Sequence, residues 1–125
     1  MILEAQEVYF DPNDDIACAT VGFKSAGDEY LLLTRNLNPD DQDLSLGMAG
    51  VHLEINDQGW SGYDVIASFA IYPEKVDIQM TAQGATAVGC QQVEIRYSLP
   101  AERRAQLRTT LRTVFEGFSN FADVA

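Results

Sequence analysis

Along most of the chain, apolar and polar residues alternate with a period of two, the spacing of a half-buried β-strand. Residues 2–10 and 15–24 are two such runs, parted by the turn-forming cluster Asp11-Pro12-Asn13-Asp14. Residues 29–37 centre on Tyr30-Leu31-Leu32-Leu33, continuous rather than alternating, which predicts a central strand covered on both faces. Residues 36–50, NLNPDDQDLSLGMAG, form the longest irregular stretch, and loops of that length in a small domain are often functional. Alternation returns with Val51, Leu53 and Ile55 against His52, Glu54 and Asn56. After a predicted turn at Asp57-Gln58-Gly59, the next apolar row is Tyr63, Val65, Ala67, Phe69 and Ile71. Pro73-Glu74 turns the chain again, and Val76, Ile78 and Met80 face inward against Lys75, Asp77 and Gln79. Three runs joined by short turns predict an antiparallel meander.

Residues 81–90 are small and glycine-broken, a short helix or a loop; Val93, Ile95, Tyr97 and Leu99 then mark the last strand. Pro100 opens a helix at the position where its missing N–H costs nothing. Leu107, Leu111, Val114, Phe115 and Phe118 recur at helical spacing, so one face packs on the sheet, and Gly117 is a reasonable stop. The expected class is α+β, mostly β. Its expected form is a six- to seven-stranded antiparallel sheet over residues 2–99 with one C-terminal helix over 100–117, in a single domain spanning 1–125.

Charge narrows the company such a domain keeps. With 19 acidic against 8 basic residues, the formal net charge is −11. A phosphate backbone or an anionic membrane surface would be repelled, and a basic protein would be attracted and steered. Between Arg35 and Lys75 there is no Lys or Arg, while Asp40, Asp41, Asp43, Glu54, Asp57, Asp64 and Glu74 fall in that gap. Arg103, Arg104, Arg108 and Arg112 cluster near the C-terminus, so an acidic side and a less acidic side are expected. Arginines 104, 108 and 112 share one helical ridge, but counterion-release binding needs a net positive surface, and stems flanking an apolar helix face explain them better. Nucleic acid is therefore not an expected partner.

Cys18 and Cys90 lack any CxxC spacing and sit in apolar surroundings, as two buried thiols of a reducing compartment would. MILEAQEVYF has no basic n-region or long apolar stretch, and no run approaches a membrane span. A cytoplasmic location is expected.

Recognised chemistry is sparse. One histidine, His52, and two scattered cysteines offer no zinc site, and Asp40-Asp41-x-Asp43 is too short for a calcium loop. No glycine-rich phosphate loop occurs. No cofactor is expected, and no enzyme activity. The alternative is a small-ligand-binding or catalytic sheet in which Glu54 and Asp64, on neighbouring strands, face one another. A purely structural subunit, with a tyrosine-rich edge buried against a second copy in a homodimer, is a further possibility. Trp60 stands apart from all of these. The only tryptophan, it follows a turn and is ringed with Tyr63 by Glu54, Asp57 and Asp64. Either it anchors a partner, as interface aromatics do, or it folds back over an open sheet edge.

The run Tyr30-Leu31-Leu32-Leu33, then Leu46-Gly47-Met48, then VHLEINDQGWSGYDVI, then VEIRYSLP leading into the helix, resembles the bacterial immunity protein 10 family. The resemblance covers roughly residues 28–116, is most specific from Leu46 to Val65, and departs at Ala49-Gly50. It implies a cognate antidote in a polymorphic toxin system, protecting its producer by binding the toxin's active domain. Joined to the charge pattern, the expected contact is the acidic loop Asp40, Asp41 and Asp43 together with the hairpin His52, Glu54, Asp57, Trp60, Tyr63 and Asp64.

Overall fold

A computed structural model of the chain describes residues 1–11 and 18–124. The class is α+β and mostly β, as the alternation implies, with the C-terminal helix in place. The sheet count differs. Among the described residues, ten strands form two five-stranded sheets where one sheet of six or seven was expected.

Sheet B is an antiparallel meander of β2 (Glu7–Asp11), β3 (Cys18–Lys24), β4 (Tyr30–Asn36), β5 (His52–Ile55) and β6 (Asp57–Tyr63), in that order. Sheet A has the order β1 (Ile2–Glu4), β9 (Gln92–Arg96), β8 (Lys75–Met80), β7 (Ile66–Ile71) and β10 (Phe121–Asp123). Its two edges are parallel, β1 to β9 and β10 to β7, around an antiparallel centre. Helices α1 (Asp41–Ser45), α2 (Ala82–Val88) and α3 (Ala101–Val114) complete the fold.

Two chain crossings explain the miscount. The apolar run 2–10 reads as one strand, but the backbone changes sheets at Ala5 and Gln6, whose N–H groups donate to Arg96 O in sheet A and Lys24 O in sheet B. The run from Tyr63 to Ile71 breaks at Asp64, whose φ of 57° lies in the left-handed region, so β6 ends sheet B and β7 belongs to sheet A. The expected three-run meander is therefore split into β5–β6 and β7–β8. A bulge between Ile66 and Ser68 leaves Ala67 exposed while Ile66 is buried, so the apolar row is also displaced. Of the expected first turn, Pro12, Asn13 and Asp14 lie outside the described residues, as does the start of the 15–24 run.

β4 is central, as its leucine run implies, but only Leu31 and Leu33 are fully buried, and Leu32 on the other face is half-buried. The helix after Pro100 stops at Val114 rather than at residue 117, and Gly117, at φ 86°, follows in the turn beyond it. Inner residues of both sheets, Val21, Phe23, Leu31, Leu53, Phe69, Ile78 and Ile95 among them, share one core with Leu107, Leu111 and Val114 of α3 and with Phe115 just after it. Arg108 and Arg112 pair with Asp123 on β10, and Arg103 stacks on Phe10, so arginine stems do flank the helix's apolar face. Cys18 and Cys90 are free thiols, half-buried rather than buried, and burial pushes the Cys90 thiol up from its ordinary pKa.

Candidate functional site

Sheet A and sheet B turn different surfaces to water. On the outer face of sheet A the charges neutralise one another: Arg96 bridges Glu4 and Glu94, and Lys75 pairs with Asp77. The outer face of sheet B carries aromatic rings and acids, with Lys24 at one border between Glu7 and Tyr30. Register places Asp11, Thr20, Thr34, His52 and Tyr63 in one row across the five strands. The next row holds Tyr9, Gly22, Leu32, Glu54 and Ser61. None of these positions is buried, and Tyr9 is 56% exposed. Among the described residues no helix covers this face: α2 and α3 pack on its inner side, and α1 buries nothing.

Fixed contacts order the face. The Tyr30 phenol donates to Glu54 Oε2. That hydrogen bond, with desolvation and the nearby charges of Glu54 and Asp57, pushes Tyr30 up to about 12, so it stays a neutral donor. Tyr9 donates to Asp11 at 3.3 Å, and the acid raises its pKa as well. His52 and Tyr63, a cross-strand pair, hold their rings 4.8 Å apart. His52, Glu54 and Tyr63 are thus brought together on one surface, as expected for the hairpin.

The remaining expected residues are dispersed. The hairpin turns at Asn56, at φ 63°, where Asp57-Gln58-Gly59 was expected to turn. The Asn56 amide oxygen accepts from Tyr30 N at 2.8 Å, which ties the hairpin tip to β4. Register then shifts between Glu54 and Ile55, so the partner opposite Ile55 is Asp57 while the partner opposite Glu54 is Ser61. Trp60 falls within this bulge. Its ring lies against Gly89 at the end of α2, where an added Cβ would meet it at 3.3 Å. Gly62, on the inner side of β6, faces Ala87 of the same helix, so Trp60 turns toward α2 and away from His52, Glu54 and Tyr63. It is 50% exposed, part cover and part free surface.

Glu54 and Asp64 do not meet across the strands, since Ser61 stands opposite Glu54. Asp64 folds instead over Gly50, where a Cβ would come within 2.2 Å of its Oδ1. A glycine at position 50 thus leaves the space that the Asp64 carboxylate occupies. Asp57 Oδ1 accepts from Gly59 N at 2.7 Å and shapes the bulge. Asp40 and Asp43 form the reciprocal capping box of α1: the Asp40 side chain accepts from Asp43 N at 2.8 Å and Asp43 Oδ2 from Asp40 N at 3.1 Å. The D-x-x-D spacing after Pro39 carries that signal in the sequence. Tyr9 and Tyr30 join the face unforeseen, because their membership depends on the register of β2 and β4.

Among the described residues, no group of three or more His, Cys, Asp or Glu side chains is placed to hold a metal ion. No helix among them is long and apolar enough to cross a membrane. The larger concavities are open grooves elsewhere, one along the Arg104–Arg108–Arg112 ridge of α3 and one beside α2.

What sheet B presents is an open, ordered surface of aromatic rings and acids, the kind that meets another macromolecule rather than encloses a small one. The profile of the immunity protein 10 family matches residues 4–105, and the chain belongs to that family. Its members are immunity proteins, a class associated with neutralising toxins and generally non-catalytic. No curated protein matches the chain.

Proposed function

We propose that this chain neutralises a cognate, basic toxin domain by binding it with the open face of sheet B and occluding its working surface. The observation that carries the reading is that face: Tyr9, Tyr30, Leu32, His52 and Tyr63 interleaved with Asp11 and Glu54, with no helix over it among the described residues. Family membership supports the role, and the net charge of −11 supports a basic partner. Rigid aromatic rings supply contact area at low entropic cost, while acids at the rim speed encounter and penalise wrong partners. The charge logic follows from the toxin's side as well: a domain that holds phosphate must itself be basic, and an acidic surface competes for it.

The test is co-expression with the cognate toxin domain, followed by binding measurements on the purified pair. Wild-type protein is expected to restore growth and to form a one-to-one complex whose association slows as salt rises. Tyr9→Ala with Tyr63→Ala should weaken that complex by about 10- to 100-fold, since both rings are truncated at an ordered contact. Melting temperature should change little. Failure of the wild-type chain to protect or to bind would refute the role, and full binding by the double variant would refute the face.

A further inference from the structure

Helix α1 is a helix without a core. Five residues are too few to be stable alone, and no residue of α1 is buried. Its order comes from polar contacts instead. The Asp40–Asp43 box closes its start, Asn36 Nδ2 donates to Asp43 Oδ2 at 3.3 Å, and Met48 N donates to Asp43 O at 2.8 Å. Gly47, at φ 72°, supplies the left-handed turn that brings Met48 back. Side chains held this way point outward: Leu44 is 57% exposed, Leu46 63% and Met48 37%. A loop whose task was only to link β4 to β5 would present polar residues to water. Three large apolar side chains on a fixed frame are the mark of a contact site, because their ordering entropy is spent before binding.

Resting on the immunity role proposed above, we infer that the α1 loop is the apolar anchor of the toxin contact, with Leu44, Leu46 and Met48 inserting into an apolar recess rimmed by Lys or Arg on a basic protein. Charge selects that occupant. Asp40 and Asp41 are exposed beside the leucines, and no Lys or Arg lies between residues 36 and 74. The cation at this end of β4, Arg35, is engaged internally: its guanidinium donates to the carbonyls of Thr113, Val114 and Glu116 and stacks 4.7 Å from the Phe118 ring centroid. Asn36, the residue that holds Asp43, occupies an outward position at the end of β4, so α1 borders the open face of sheet B.

The experiment compares five proteins against the purified toxin domain whose lethality the wild-type chain relieves: wild type, Leu44→Ala with Leu46→Ala, Leu46→Met, Asp41→Asn, and Tyr9→Ala with Tyr63→Ala. The leucine pair should lose about 10- to 100-fold in affinity, chiefly through faster dissociation, with an unchanged melting temperature because neither side chain is buried. Leu46→Met, which keeps the bulk, should bind nearly as wild type. Asp41→Asn should slow association and flatten its salt dependence. Wild-type affinity in the leucine pair, alongside weakened binding in the Tyr9→Ala/Tyr63→Ala protein, would overturn the anchor and leave the immunity role standing. No complex with wild-type protein would remove both. Sedimentation without toxin separates the remaining occupant: a wild-type dimer that the leucine pair dissolves would assign the loop to a second copy and overturn the inference.

Discussion

Trp60 owes its place to a glycine. Gly89 ends α2 with φ 83°, a conformation that side chains rarely adopt, and its missing Cβ leaves the space that the indole occupies. One residue thus closes a helix and seats the ring of a neighbouring strand. Half the ring remains in water, so truncating it should forfeit about 1–2 kcal/mol, below the ~3–5 of a fully buried tryptophan. Chemical denaturation of Trp60→Ala is expected to show that loss. Toxin affinity should stay within about threefold, because the ring turns toward α2 and not toward the rows of His52, Glu54 and Tyr63. A large loss of affinity with stability intact would move the contact to the α2 edge.

At the scale of elements, α2 is held by closeness. A Cβ on Gly84 would stand 2.2 Å from the carbonyl oxygen of Val65, at the point where the chain leaves sheet B for sheet A. Alanine improves helix propensity by ~1 kcal/mol, yet here it must push helix and crossing apart. Overpacking of that kind costs about 1–3 kcal/mol, so Gly84→Ala should lower the urea midpoint despite the better propensity. Propensity gain with no loss of stability would mean the crossing yields easily.

The same crossing marks the limit of what alternation reveals. The runs 51–55, 75–80 and 93–97 were legible because each buries one face and wets the other. Sheet membership was not, since the period of two persists on both sides of Ala5–Gln6 and a bulge hides the break after Asp64. β1 and β10 have three residues each and pair in parallel with strands far along the chain, which no local pattern encodes. Within the candidate site, the outward placing of His52 and Glu54 could be read from alternation, whereas alternation put Tyr63 in the inward row with Val65 and Phe69, and only its pairing with His52 turns it outward. The displacement of Trp60 could not, because it depends on a register shift within the β5–β6 pair that leaves residues 58–60 without partners on β5.

For the molecule as a whole, the family profile and the core have different boundaries. The profile ends at residue 105, in the second turn of α3, while Leu107, Leu111, Val114 and Phe115 beyond it are all buried between the sheets. Phe115 and Phe121 stack 5.2 Å apart and both contact Phe69, which ties α3 and β10 to the centre of sheet A. At about 1.5–3 kcal/mol for each large apolar side chain, those four residues alone supply stabilisation comparable to the ~5–15 kcal/mol net stability of an ordinary domain. A chain ending at residue 105 keeps all of sheet B and the strands β1, β7, β8 and β9, yet leaves their inner faces open to water. It is expected to lose cooperative thermal unfolding and dispersed amide resonances, and to lose toxin protection with them, although every residue of the proposed contact is still present. A truncated chain that still unfolded cooperatively would show that the two sheets close on each other without α3, and that the helix serves something other than the core.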